Sequence, residues 1–272
     1  MMVIDFHTHA FPEAVAPRAV QQLENRYGIS PFGTGTLDHL WDLWREAGIT
    51  LGIISTAATR PEQVRSANDW ALWLNERYPC ESVEADQEPR LMAFGTLHPA
   101  YPDIPGELAR LRQRGIRGLK FHPDFQEFCL DSPEAEEMFA AIGTDFIILL
   151  HIGDRPHQNR HATPARLRRL LEALPHLRIV AAHFGGFQMW AEAREELVGQ
   201  EVFFDTSSSL AFLSPEEAVE VIRRHGPDRI LFGSDFPLWS PPAELALLQS
   251  LPLTDEERRL ILWDNARRLL GL

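Results

Sequence analysis

Cysteine is scarce: Cys80 and Cys129 are the only two among 272 residues. They form no CxxC pair, so a disulfide scaffold is excluded and free thiols in a reducing cytosol are expected. No ordered base can be assigned to either thiol, which argues against a cysteine nucleophile. Positive charge is also short, with 26 Lys and Arg against 39 Asp and Glu and a net charge of −13. That sign repels phosphate backbones and anionic lipid, so neither nucleic acid nor membrane is expected as a partner. Long apolar runs are missing too. None is longer than Phe146–Leu150, which is far too short to cross a bilayer. No basic segment precedes an apolar one at the N-terminus, so no signal peptide is expected and the chain reads as cytoplasmic. No Gly-rich phosphate loop follows the first apolar run, which disfavours a doubly wound nucleotide-binding sheet. Gly233-Ser234-Asp235 lacks the spacing of a nucleophile elbow. No internal repeat or low-complexity tract is found.

What is present is ordinary globular composition, 44% hydrophobic and 24% charged. A barrel of strand–helix units often runs to roughly 250 residues as one domain, so residues 1–272 are read as a single domain. A core of that size folds without metal staples, so a metal here would serve chemistry. Eight short aliphatic runs end in polar residues: Val3–His9, Ile49–Thr56, Leu91–His98, Ile116–His122, Phe146–Ile152, Arg178–Phe184, Val202–Ser207 and Ile230–Asp235. Nearly continuous apolar runs suit parallel strands covered on both faces. Between them, Leu37–Ala47, Ile104–Arg114, Pro164–Leu174 and Pro215–His225 carry apolar residues at helical spacing. Thr163-Pro164 and Ser214-Pro215 place a capping residue before a proline at the first helical position. The alternation predicts an α/β fold, a single (β/α)8 TIM barrel, with a helical insertion (helix Glu13–Tyr27) after strand 1. Trp41, Trp44, Trp70 and Trp73 recur at helical spacing and are expected to face the core or pack between helices.

Barrel chemistry sits at the C-terminal ends of the strands. Those ends read His7 and His9, Thr56, His98, His122, His151, His183, Ser207 and Asp235. Six of the 11 histidines therefore gather at strand ends, which random scattering does not produce. His7-Thr8-His9 places two imidazoles on one face of a strand, about 7 Å apart along it. Two imidazoles at that spacing can converge on one cation, and Asp235 and His151 could complete the cup. Such nitrogen and oxygen donors suit Zn, Mn, Fe or Ni.

The run Val3-Ile4-Asp5-Phe6-His7-Thr8-His9-Ala10-Phe11-Pro12 resembles the opening of the amidohydrolase superfamily, in its amidohydrolase-related branch. The resemblance continues through LKFHPDFQ (119–126), LLHIGD (149–154), AAHFGG (181–186), FDTSSS (204–209), ILFGSDFP (230–237) and NARRLLGL (265–272). It implies a (β/α)8 barrel and one divalent metal, zinc first with Mn, Fe or Ni open, held by His7, His9, His151 and Asp235. It also implies that Asp235 and His183 are the catalytic groups. A second metal is left open, because the fourth strand offers Lys120, a candidate carbamate, beside His122. Lys120, His122 and Arg155 are the candidate substrate contacts; Arg155, His157, Arg160 and His161 form a basic cluster able to meet a carboxylate. Asp5 either orients a ligand histidine or satisfies nearby backbone, and Asp205 and His98 read as supporting residues. The expected activity is hydrolysis of a C–N or C–O bond (amide, lactone, ester or imine) in a small molecule by a metal-activated water. The alternative is a metal-dependent lyase, a decarboxylase or hydratase of a small carboxylic acid. A homodimer is left open.

Overall fold

The computed structural model describes residues 2–80, 83, 88–154 and 160–272. Its strands are β1 (Ile4–Thr8), β2 (Leu51–Ile54), β3 (Arg90–Ala93), β4 (Gly95–Thr96), β5 (Gly118–Phe121), β6 (Ile147–Leu150), β7 (Arg178–Ala181), β8 (Phe203–Asp205) and β9 (Ile230–Leu231). The chain forms two compact units.

The first unit comprises Met1–Ser55, Leu74–Met92 and Thr206–Leu272. Here β1, β2 and β3 lie side by side in that order. Every residue of β1 and β2 is buried: the wholly apolar Leu-Gly-Ile-Ile of β2, and in β1 the polar Asp5, His7 and Thr8 together with Ile4 and Phe6. The helical insertion is present as helix Ala16–Tyr27, followed by helix Leu37–Ala47. Trp44 on the latter is fully buried and lies over Gly52 of β2. A Cβ on Gly52 would stand 1.8 Å from the indole, so only glycine admits the ring there. Beyond β9 the chain keeps pairing with β1. Phe6 N–H donates to Phe232 O (2.8 Å), Asp235 N–H to His7 O (2.7 Å) and His9 N–H to Phe236 O (2.8 Å). These bonds fix Asp235 against His7 and His9.

The second unit comprises Thr56–Trp73 and Ala93–Asp205. Strands β4 to β8 are paired in order, all parallel. The four aliphatic side chains of β6 are at most 1% exposed, and each such burial contributes about 1.5–3 kcal/mol. Ser132 and Thr163 cap helices Pro133–Ile142 and Pro164–Ala173 by accepting backbone N–H bonds, with proline at the first position of each.

The third expected strand, Leu91–His98, is divided into β3 and β4 at Phe94. The cause is Asn68. Its amide accepts from Thr96 N–H (2.7 Å) and donates to Thr96 O (3.0 Å), so a side chain takes the place of a ladder neighbour. The same amide donates to Glu107 (2.7 Å), a carboxylate 3% exposed and held by both Arg110 and Arg65. Trp73 departs from the expected core position: it is 47% exposed and stacks on Trp70 with ring centres 5.0 Å apart.

Candidate metal centre and active site

Each unit holds one cluster of the histidines expected from the sequence. In the first unit, His7, His9 and Asp235 offer ligand atoms that all lie within 4.8 Å of one another. Asp235 Oδ1 is 3.2 Å from His9 Nε2 and 3.7 Å from His7 Nε2. The remaining nitrogens are engaged away from that point. His9 Nδ1 donates to Ser55 O (2.7 Å), and His7 Nδ1 meets Ser207 Oγ (3.0 Å). His9, donating from Nδ1 to a carbonyl, presents a lone pair at Nε2; His7 does the same when the Ser207 hydroxyl accepts its Nδ1 proton, and two imidazole lone pairs and a carboxylate oxygen then converge in a largely buried recess. The donor chemistry fits a divalent cation of the Zn–Mn class.

Neighbouring residues hold these three in place. Asp235 sits in the left-handed region (φ 61), as does Ser208 (φ 50). Ser208 Oγ donates to Asp235 Oδ2 (2.5 Å) and accepts from Trp239 Nε1 (2.8 Å). Gly233 leaves room for the cluster: a Cβ there would be 2.8 Å from His7 Cβ and 3.3 Å from Ser207 Cβ. Asp5 is fully buried and accepts from Ser234 N–H (2.9 Å), Ser234 O–H (2.7 Å), Trp44 Nε1 (3.3 Å) and His7 N–H (3.5 Å). It thus satisfies backbone and joins the two ligand-bearing segments. Burial pushes its carboxyl up to about 7, against the pull of those donors. Glu244, 2% exposed, has an Oε2 with no hydrogen-bond partner; burial and the nearby charges of Asp235 and Asp5 push it up to about 8.

In the second unit, His183 Nε2 lies 2.9 Å from His151 Nδ1, and His151 Nε2 lies 3.0 Å from Gly153 O. A carbonyl only accepts, so His151 donates from Nε2 and His183 donates to His151 Nδ1. Both nitrogens of His151, an expected metal ligand, are therefore engaged within this unit. His183 is in the left-handed region (φ 62), pinned by its N–H to Asp205 Oδ1 (3.0 Å) and by Trp190 Nε1 donating to its carbonyl (3.0 Å). His122 stacks on His151 with ring centres 3.8 Å apart and receives Phe125 N–H at its Nδ1 (3.4 Å), so it both borders the pair and caps the short helix Pro123–Gln126. Lys120 lies on β5 and is 1% exposed. His98 is structural: Nε2 donates to Gln126 O (3.0 Å) and Nδ1 accepts from Ala100 N–H (3.1 Å), while burial pushes its pKa down.

A cavity of about 270 Å³ opens beyond β6 and β7, lined among others by Asp124, Gly153, Asp154, Arg160, Thr163 and Glu192. Gly153, which lines it, is also the residue whose carbonyl His151 holds. Of the basic cluster, Arg155 and His157 lie outside the described residues. Arg160 approaches Glu192 at 3.6 Å, and His161 Nδ1 lies 3.5 Å from Cys129 Sγ. No individual role was assigned from the sequence to Ser208, Trp239, Asp124 or Asp154, although FDTSSS, LKFHPDFQ and LLHIGD contain Ser208, Asp124 and Asp154. No described helix is long and apolar enough to cross a membrane.

The Amidohydrolase family model, Amidohydro_2, matches residues 4–272 and so spans both units. No curated protein matches the chain. Among solved structures, the chain is similar to the uncharacterized TIM-barrel protein Bb4693 from Bordetella bronchiseptica (16% identity, TM-score 0.76, 100% of this chain and 99% of that one). It is also similar to a dihydroxybenzoic acid decarboxylase from Polaromonas sp. JS666 with bound manganese and the inhibitor 2-nitroresorcinol (17%, 0.71, 99% and 97%). A third is a protein from Pseudomonas putida assigned as a 2-pyrone-4,6-dicarboxylic acid hydrolase (21%, 0.67, 99% and 97%). At such identities the likeness speaks for the fold, and the α/β TIM-barrel class expected from the sequence is the class these structures share. With a family match over almost its whole length and a His/Asp group suited to a metal, the chain belongs to the amidohydrolase family of metal-dependent enzymes.

Proposed function

We propose that this enzyme is a metal-dependent hydrolase that directs water at a C–N or C–O bond of a small molecule, using one divalent cation held by His7, His9 and Asp235. The observation that carries the reading is the convergence of those three ligand atoms within 4.8 Å, with each imidazole's Nδ1 engaged elsewhere. A divalent cation, when bound, polarises a carbonyl and brings the pKa of water to about 7. Asp235 turns Oδ1 towards the two imidazoles and has Oδ2 tied to Ser208. Its Oδ1 accepts the proton of the attacking water and passes it to the leaving group. His183, whose backbone is clamped by Asp205 and Trp190, is the second catalytic group: the Nε2 proton it shares with His151 is the one it would turn to the oxygen that gains charge. His151 is carried as a fourth ligand on the resemblance of the LLHIGD run, and Lys120, His122 and Arg155 as substrate contacts. Zinc is the first choice of cation; manganese is second because the Polaromonas relative contains it.

The test is isotopic. Turnover of a lactone, ester and amide panel in 18O-water by cation-loaded protein is expected to place solvent oxygen in the product. Asp235→Asn and His183→Asn are expected to lower kcat by about 10²–10⁴, with His183→Asn keeping its cation. The second reading, decarboxylation, is favoured by the Polaromonas relative. Carbon dioxide release from hydroxybenzoates, with no solvent oxygen retained, would replace the hydrolase reading.

A further inference from the structure

In the run Phe204-Asp205-Thr206-Ser207-Ser208-Ser209, two hydroxyls each grip a different residue of the His7, His9 and Asp235 cluster. We propose that Ser207 and Ser208 are positioning residues that set the ligand atoms of His7 and Asp235 for the cation; the inference rests on the metal-centre reading above.

Ser207 Oγ lies 3.0 Å from His7 Nδ1. When it accepts the Nδ1 proton, His7 is left with its lone pair on Nε2, the atom facing Asp235 Oδ1. The opposite tautomer would bury a proton on Nε2 and remove the ligand. Ser208 acts on the carboxylate. Its O–H donates to Oδ2 at 2.5 Å, so Oδ1 alone turns towards the imidazoles. The Ser208 oxygen receives the Trp239 indole N–H at 2.8 Å, which leaves its own proton directed at Asp235. Both serines are buried, at 0% and 3% exposure, so water does not compete for these bonds. The left-handed backbone at Ser208 and at Asp235 belongs to the same arrangement: each side chain is held in a conformation that an unconstrained serine or aspartate rarely takes. Gly233 completes it by letting His7 and Ser207 approach.

The experiment measures cobalt(II) affinity by competition with a chelating indicator, and the visible spectrum of the cobalt protein, alongside circular dichroism. Ser207→Ala and Ser208→Gly are each expected to weaken binding 10–100-fold, on the order seen when outer-sphere partners are lost, and to shift the cobalt bands. Glycine is chosen at 208 because it accepts positive φ, so backbone strain and hydroxyl are separated. Ser207→Thr keeps a hydroxyl and is expected to bind within about threefold of the parent, as is Ser209→Ala, whose hydroxyl donates to the Ser207 carbonyl. Parent-like affinity and spectrum in both Ser207→Ala and Ser208→Gly would overturn the inference and leave the metal-centre reading standing. A parent that binds no cobalt, or an Asp235→Ala variant that binds as well as the parent, would overturn both.

Discussion

Asp5 offers a sharp test because its two oxygens have different tasks. Oδ1 accepts the backbone N–H groups of Ser234 and His7; Oδ2 accepts the Ser234 hydroxyl and the Trp44 indole N–H. In Asp5→Asn the amide oxygen can keep the two backbone donors. The new NH2 then faces Ser234, whose hydroxyl can rotate to accept, and Trp44, whose N–H cannot. One buried donor is orphaned, at a cost of about 1–3 kcal/mol. Asp5→Ala abandons all four donors in a site of zero exposure, and the orphaned donors together cost on the order of 4 kcal/mol. At about 2–4 °C per kcal/mol for a chain of this size, the asparagine variant should melt on the order of 5 °C below the parent and the alanine variant on the order of 12 °C below. The assay is thermal unfolding at pH 8 with and without cation, with cobalt affinity read on the same samples. Affinity should fall in the same order, since Asp5 ties the His7 segment to the Ser234-Asp235 segment. Equal melting of the two variants, or both within about 1 °C of the parent, would refute the donor accounting.

Chelation of the bound cation should lower the melting temperature by on the order of 5–10 °C, because a ligand at 100 times its Kd stabilises by about 2.7 kcal/mol. Gly233→Ala should weaken cobalt binding and cost about 1–3 kcal/mol through pressure on His7, measured by denaturant titration. Asn68→Ala leaves Thr96 N–H, Thr96 O and one Glu107 oxygen short of partners, and should destabilise by about 3–5 kcal/mol in the same assay. Glu257 is held down to about 2 by Arg223, so its contribution is complete above the ordinary glutamate range near 4.5 and fades as pH falls towards 2. Glu257→Gln should therefore flatten that acid limb of an unfolding profile and cost only about 1 kcal/mol at pH 7, since Arg223 is half exposed.

The strands and the meeting of His7, His9 and Asp235 were legible because period and chemistry coincide. His7 and His9 share a strand face, and Asp235 closes the last aliphatic run. Helix starts were legible wherever a hydroxyl preceded proline, as at Thr163 and Ser214, both of which cap as expected. What escaped depended on partners distant in sequence. Asn68 divides the third strand from 28 residues away, and no local pattern announces a side chain that takes a ladder's place. Ser208 acts across 27 residues on Asp235, and serine is too common a residue to signal such a role alone. His98 stands at a strand end like the others, yet both its nitrogens are consumed by neighbouring backbone. Trp73 shares its helical spacing with Trp70, and spacing alone did not tell which ring would meet water.

The ring of His151 behaves as a latch. One nitrogen is fastened to His183 and the other to the carbonyl of Gly153. No third nitrogen exists, so a cation can be taken up by this ring only if one fastening opens. Uptake at Nδ1 would free His183, and uptake at Nε2 would free the carbonyl of Gly153, a residue that lines the cavity. Occupancy at His151 is thereby mechanically linked to the shape of the cavity beside it.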